Sequence, residues 1–278
     1  MNILKAILFG IMEGITEWIP ISSTAHMKIL NVVTPLGVSE EFYGVFEVVI
    51  QLGAILALLL IFWNKVWPFG YSSDPLGYKG ILKFCKKDKF ILWLKIALAC
   101  IPVIAYELFV KDHVNFVNES NETTIIAISL IVLGIGFIAV ELYIKDKLES
   151  VYSTRNITFL MAFVIGLTQL VAAIFPGVSR SGATIIAGLL LGISRPVITE
   201  FTFELAIPVM FGASLMQVIK FAGTVQFMEV MMLIVGCLVA FVVSLFMIRF
   251  IINYIKKHSF TIFGIYRILL GIIILILL

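Results

Sequence analysis

Apolar residues run along this chain in long blocks, and six of them approach 20 residues: near 42 to 62, 90 to 110, 123 to 143, 199 to 220, 228 to 250 and 260 to 278. That is the length a helix needs to cross the hydrocarbon core of a bilayer, so each block predicts a transmembrane helix. Two further apolar segments, 1 to 35 and 157 to 195, are interrupted in the middle. The first breaks at Pro20 with Ser22, Ser23 and Thr24, the second at Pro176 with Gly177, Ser179, Arg180 and Ser181. Proline removes a backbone donor, so an irregular tip at membrane depth must be buried in protein or line a wet cavity. Each segment therefore predicts a re-entrant helical hairpin. The expected fold is an all-α polytopic membrane protein, a single membrane domain over 1 to 278 with six transmembrane helices and two hairpins.

The two interrupted segments match each other when the chain is shifted by 156 residues: Gly10 falls on Gly166, Glu13 on Gln169, Pro20 on Pro176 and Ser23 on Ser179. At a shift of 159, Glu41-Phe42 falls on Glu200-Phe201 and Gly53-Ala54 on Gly212-Ala213. The chain reads as two copies of one unit, about 1 to 143 and 157 to 278, joined by a linker at 144 to 156. Each copy is a hairpin followed by three spans. Three is odd, so the second copy enters the membrane inverted, and the two tips meet from opposite faces.

Composition agrees: 61% of the residues are hydrophobic and 13% charged, with a mean hydropathy of +1.12. Glu13 and Glu17 interrupt any removable leader, so the N-terminus is expected to be retained. The basic residues are unevenly spread. Lys65, Lys79, Lys83, Lys86, Lys87 and Lys89 lie in 63 to 89, Lys145, Lys147 and Arg155 in 144 to 156, and Arg249, Lys256 and Lys257 in 249 to 259. The alternate loops, 36 to 41, 111 to 122 and 221 to 227, carry only Lys111 beside Glu40, Glu41, Asp112, Glu119 and Glu122. The positive-inside rule then makes the lysine-rich loops, linker included, cytoplasmic and turns both termini outward, with Trp63, Trp67, Tyr143 and Tyr254 near the inner interface. The net charge of +3 is a topology signal; no basic stripe interleaved with aromatics points to nucleic acid. Cys85, Cys100 and Cys237 have no metal or disulfide spacing and read as packing residues.

Candidate chemistry collects at the two tips. Glu13 and Glu17 lie four apart on a helix, so their carboxylates share a face with Cβ atoms about 5–6 Å apart. Such a pair invites a divalent cation, and its oxygen ligands suit Mg²⁺ or Ca²⁺. Ser22, Ser23 and Thr24 offer hydroxyl nucleophiles beside His26, a potential base. At the second tip Arg180, flanked by Ser179 and Ser181 and opening a helix through Thr184, combines a fixed cation with a helix N-terminus, an arrangement suited to phosphate. Polar groups in membrane helices also serve as helix-helix glue, and Ser22, Thr24, Ser181 and Thr184 are open to that reading. A charge at mid-bilayer costs on the order of 2.5–3.5 kcal/mol, which argues against it for Glu13, Glu17 and Arg180. Packing, or support of a neighbouring site residue, is the expectation for Glu47, Gln51, Gln169 and Glu204. Glu141 and Arg267 are expected to pair across spans or to snorkel to an interface.

The stretches EGITEWIPISSTAHM, FEVVIQLGAILA, PGVSRSGATI, SRPVITEFTFELAIPVMFGA and FGIYR resemble those of the undecaprenyl pyrophosphate phosphatases, the bacitracin resistance family of bacterial inner membranes. The resemblance runs from about residue 9 to 270. It implies a divalent-cation-dependent phosphatase that converts undecaprenyl pyrophosphate to the monophosphate carrier lipid of cell-wall synthesis, with its site toward the outer face. The family's acidic motif corresponds to Glu13 and Glu17, its serine motif to Ser22 and Ser23, its histidine to His26 and its phosphate-binding arginine to Arg180. One departure stands out. The family's glutamine precedes the motif proline by six residues, whereas Gln169 precedes Pro176 by seven, so Gln169 is left out of the expected site.

Within this reading Ser23 attacks phosphorus while His26 or Glu17 accepts its proton, with His26 or a water as the other candidate nucleophiles. Arg180, Ser22, Thr24, Ser179, Ser181 and Thr184 are expected around the substrate. A transporter or flippase for a polyprenyl phosphate or another anion is the rival, since inverted repeats with broken helices are transporter architecture. Oligomeric state, homodimer included, stays open, because lipid-facing and protein-facing apolar surfaces read alike.

Overall fold

The computed structural model describes residues 2–71, 74–77, 80–113, 117, 119–221 and 226–277. Lys79, counted above with the lysine-rich loops, and 222–225 of the loop at 221 to 227 lie outside the described residues. Eleven α-helices are described: α1 (Asn2–Thr16), α2 (Ser23–Val33), α3 (Glu40–Val49), α4 (Gln51–Val66), α5 (Lys87–Phe109), α6 (Glu119–Ile144), α7 (Phe159–Ile174), α8 (Arg180–Leu190), α9 (Arg195–Phe221), α10 (Phe227–Ile255) and α11 (Thr261–Leu277). Extended pairing among the described residues amounts to three isolated bridges. The protein is an all-helical polytopic membrane protein.

Five helical stretches are long and apolar enough to cross a membrane: Glu40–Val66, which joins α3 to α4, then Lys87–Phe109, Asn121–Ile144, Arg195–Phe221 and Phe227–Ile255. They coincide with five of the six predicted blocks. The sixth block forms α11, whose 17 residues make about 25 Å of helix, less than a hydrocarbon core of about 30 Å.

Both interrupted segments break where the sequence breaks, and by similar local means. α1 ends at Thr16, Pro20 follows, and Ser22 turns the chain with φ 74°, the single positive φ of a non-glycine among the described residues. The Ser22 hydroxyl then caps α2 by accepting from the Ala25 amide at 3.4 Å. In the second segment α7 ends at Ile174, Gly177 turns with φ 85°, and the Ser179 hydroxyl caps α8 by accepting from the Gly182 amide at 3.1 Å. A proline stop, a left-handed residue and a serine cap are what a tight helix-to-helix reversal requires.

The halves of the chain interlock. α1 lies along α10 and α7 along α5, while α6 packs on α11 and α4 on both α9 and α10. Gly10 and Gly166 permit the first two contacts, since a Cβ on Gly10 would stand 2.7 Å from the Gly236 carbonyl and one on Gly166 would meet the Ala99 backbone. Small residues let helix backbones approach in this way. Behind the first tip, Trp18 and Phe62 both pack edge-on against Phe203, with ring centroids 5.1 and 6.4 Å away.

Glu141 pairs across helices, but not with Arg267, and Arg267 does not snorkel. α6 and α11 run antiparallel: Gly134 faces Gly264, and Gly271 faces Ala127. That register sets Glu141 opposite the residues near 257, ten residues or about 15 Å of helix from Arg267. Glu141 instead accepts from Arg195 Nε at 3.0 Å and from the Phe260 amide at 2.9 Å. Arg267 is fully buried and turns toward the tips.

Candidate active site

A cavity of about 150 Å³ lies between the two tips. Glu17, Ser22, Ser23 and Thr24 line it from the first tip and Ser179, Arg180 and Ser181 from the second, with Gln51 of α4 and Met210 of α9 completing the wall. Residues 155 to 164 positions apart in sequence thus share one small space.

Glu17 is the hinge of the arrangement. Its Oε2 accepts from the Ser23 hydroxyl at 2.7 Å, and its Oε1 accepts from Arg180 Nη2 at 2.8 Å. The two side chains of the ion pair are only 10% and 18% exposed. In so dry a setting charge-assisted bonds are strong. Arg180 Nη2 also reaches Met210 Sδ at 3.0 Å, which fixes the guanidinium against the cavity wall. On the same tip the Ser179 and Ser181 hydroxyls are hydrogen-bonded to each other at 2.9 Å, beside the first turn of α8. Hydroxyls, a fixed cation and a helix N-terminus together form a ready anion cradle.

The other predicted residues separate. Glu13 is buried one turn back from Glu17, and neither of its carboxylate oxygens has a hydrogen-bond partner among the described residues. Such an orphaned carboxylate beside Glu17 fits a hard divalent cation, which keeps several waters and takes one or two carboxylates plus phosphate oxygens. No cluster of three or more acidic, histidine or cysteine ligands occurs among the described residues, so the protein would supply only part of the coordination shell. Thr184 faces away from the cavity, donating to the Ser181 carbonyl at 3.0 Å and meeting the Thr202 hydroxyl at 3.0 Å, and so ties α8 to α9. Gln169 donates to the Ala99 carbonyl at 3.0 Å, a packing contact of α7 on α5.

His26 is engaged on both ring nitrogens: Nδ1 lies 2.7 Å from the Ser22 carbonyl and Nε2 lies 2.7 Å from the Tyr266 hydroxyl. Arg267, next in sequence to Tyr266, donates from Nη1 to the Pro20 carbonyl at 3.2 Å and from Nη2 to the Gly177 carbonyl at 2.9 Å. One guanidinium therefore joins the two tips. Ser22 itself holds a backbone conformation of the kind that costs about 1–3 kcal/mol outside glycine and persists only when its surroundings over-determine it. Sequence reasoning missed Gln51, Met210, Tyr266 and Arg267 as neighbours of the tips. Gln51 carries a signal, a polar side chain inside an apolar span, and its place in the cavity wall fits the supporting role rather than packing alone.

A second and larger cavity, about 390 Å³, is lined by Lys65, Lys87, Lys89, Lys95 and Arg155 together with Asp74, Asp88, Glu200 and Glu204. Ion pairs run through its wall, Lys65 with Glu200 at 2.6 Å and Arg155 with Asp88 at 2.7 Å. None of the predicted site residues lines it.

The family model for Bacitracin resistance protein BacA matches residues 6–273. The chain belongs to that family. Among curated BacA relatives, an undecaprenyl-diphosphatase of Desulfitobacterium hafniense is 49% identical over 99% of this chain and 96% of its own length. One of Lachnoclostridium phytofermentans is 47% identical over 99% and 96%, and one of Enterococcus faecalis 44% identical over 100% and 97%. The match to the BacA family takes in both tips and the α11 residues that hold them.

Proposed function

We infer that this chain is an undecaprenyl-diphosphatase, a membrane hydrolase that cleaves undecaprenyl pyrophosphate into undecaprenyl phosphate and inorganic phosphate. The observation that carries this is Glu17, which receives a hydroxyl from one tip and a guanidinium from the other in a chain whose relatives bear that name.

The chemistry is phosphoryl transfer, in which positioning and electrostatics supply most of the catalysis. Arg180 and the amides that open α8 bind the terminal phosphate, drawn by charge and by the Ser179 and Ser181 hydroxyls. Ser23 Oγ attacks the terminal phosphorus while Glu17 Oε2, 2.7 Å away, takes its proton. The new bond is Oγ–P; the bond broken is the anhydride P–O, whose electrons leave with undecaprenyl phosphate. Water then attacks the phosphoserine, inorganic phosphate departs, and Glu17 returns the proton to Ser23. Glu13 and Glu17 would hold Mg²⁺ or Ca²⁺, which would supply charge neutralisation for the phosphate. The resemblance also offers His26 or a water as nucleophile; the Ser23–Glu17 contact favours Ser23.

Topologically, the reading has six spans, two re-entrant hairpins, and inverted repeats at about 1 to 143 and 157 to 278 joined by the cytoplasmic linker 144 to 156. Reciprocal packing supports it, α1 on α10 and α7 on α5, as two inverted copies exchanging hairpins would produce. The lysine-rich loops support a bacterial inner-membrane orientation with termini and tip cavity facing outward.

Purified protein in detergent, given undecaprenyl pyrophosphate with Mg²⁺ or Ca²⁺, should release inorganic phosphate, and Arg180→Ala should abolish release. If no phosphate appears and Arg180→Ala instead alters lipid movement or anion uptake, the transporter reading replaces this one. Rapid quenching should trap label on Ser23; label on His26, or on no residue, removes the serine step.

A further inference from the structure

We propose that Tyr266 and Arg267, in the second turn of α11, are positioning residues that set the geometry of the tips, and that His26 acts with them as a strut. This rests on the phosphatase reading of the same cavity.

Two hydrogen bonds in series begin the argument. A backbone carbonyl only accepts, so the contact of His26 Nδ1 with the Ser22 carbonyl at 2.7 Å places a proton on Nδ1. Neutral imidazole then presents Nε2 as an acceptor, and the Tyr266 hydroxyl 2.7 Å away donates to it. The two rings lie nearly parallel, 6° apart, with centroids separated by 5.7 Å. Both nitrogens are thus occupied, and His26 is absent from the cavity lining while Ser22, Ser23 and Thr24 are present.

What the chain of bonds holds is the unusual part of the first tip. Ser22 takes φ 74°, and it immediately precedes Ser23, whose hydroxyl must meet Glu17 Oε2. Tyr266 fixes the imidazole, the imidazole fixes the Ser22 carbonyl, and that carbonyl sets the direction in which Ser23 leaves the turn. Arg267 acts on the same geometry from the next position, bonding the Pro20 carbonyl of the first tip and the Gly177 carbonyl of the second. The pair therefore governs both the presentation of Ser23 and the separation of Ser23–Glu17 from Arg180. A misplacement of about 1 Å at such a site costs on the order of 10²-fold in rate.

The roles are separable. In His26→Asn the side-chain amide can still donate to the Ser22 carbonyl but has no basic nitrogen. A strut predicts that His26→Asn keeps phosphate release within about ten-fold of wild type while His26→Ala loses roughly 10²-fold. Tyr266→Phe should lower kcat about ten-fold with KM little changed, and Arg267→Lys should recover part of what Arg267→Ala loses. Amide hydrogen exchange in detergent gives a readout independent of turnover: peptides over 18 to 24 should exchange about ten-fold faster in Tyr266→Phe, and those over 176 to 182 in Arg267→Lys as well. Asn at 26 as inactive as Ala would make His26 the proton acceptor and overturn the strut. Unchanged kcat and exchange in Tyr266→Phe would overturn the proposal through a substitution mild enough to fold. If wild type releases no phosphate the functional reading fails, and the exchange measurements still decide the strut.

Discussion

Two polar cavities among the described residues differ in kind, and the smaller gathers the groups that the proposed chemistry needs. The lysine-rich cavity, about 390 Å³, has more charged groups, yet much of its charge is spent within its own wall, Lys65 on Glu200 and Arg155 on Asp88. The tip cavity, about 150 Å³, has one ion pair, and that pair also holds a hydroxyl. Glu17 touches Ser23 and Arg180 at once, so a carboxylate, a hydroxyl and a guanidinium converge on one point. Convergence of unlike groups distinguishes a reactive site from a solvated one; volume and charge count do not.

Substitutions can break that contrast, beginning with Ser23→Ala. It should lower phosphate release by at least about 10⁴-fold, since knocking out a nucleophile collapses the unit it belongs to, and it should abolish any trapped phosphoenzyme. Next comes Arg180→Ala, expected to cost about 10³-fold by removing a preorganised donor; Arg180→Lys should recover little, because a point charge does not replace the fork. A smaller and different effect is expected from Glu141→Ala. It leaves Arg195 only its longer contact with Glu149 at 3.6 Å and the buried Phe260 amide without its acceptor, so thermal unfolding in detergent should report a loss of about 1–3 kcal/mol, while the folded fraction keeps its turnover. Smallest should be Lys65→Ala in the larger cavity. Its pair with Glu200 has a half-exposed lysine, so stability should change by less than about 1 kcal/mol and phosphate release should stay near wild type. A large loss of turnover there would erase the distinction between the cavities.

Much of this was legible in the sequence. Five apolar blocks foretold the five long helices, and Pro20 and Pro176 marked both breaks because proline's effect on a helix is local. Glu17, Ser23 and Arg180 stood out because charge and hydroxyl at bilayer depth are costly without a purpose. Thr184 did not go where its motif pointed: on α8 its hydroxyl bonds back to the preceding turn and across to Thr202. Arg267 stood out as an intramembrane charge, but where it goes was not legible. Its partners are two backbone carbonyls, and a backbone carbonyl has no sequence signature.

The sequence by itself determined the elements, the matched tips and the residue types available to them, since helix length, helix breaking and the cost of intramembrane charge all act over a few neighbouring residues. Only the tertiary structure decided which of those residues meet. The register of α6 on α11 sent Glu141 to Arg195 and Arg267 to the tips, and the packing of the two halves brought Arg180 to 2.8 Å from Glu17. Such pairings depend on where whole helices stop and cross, and a shift of one turn, about 5.4 Å, would separate every one of them.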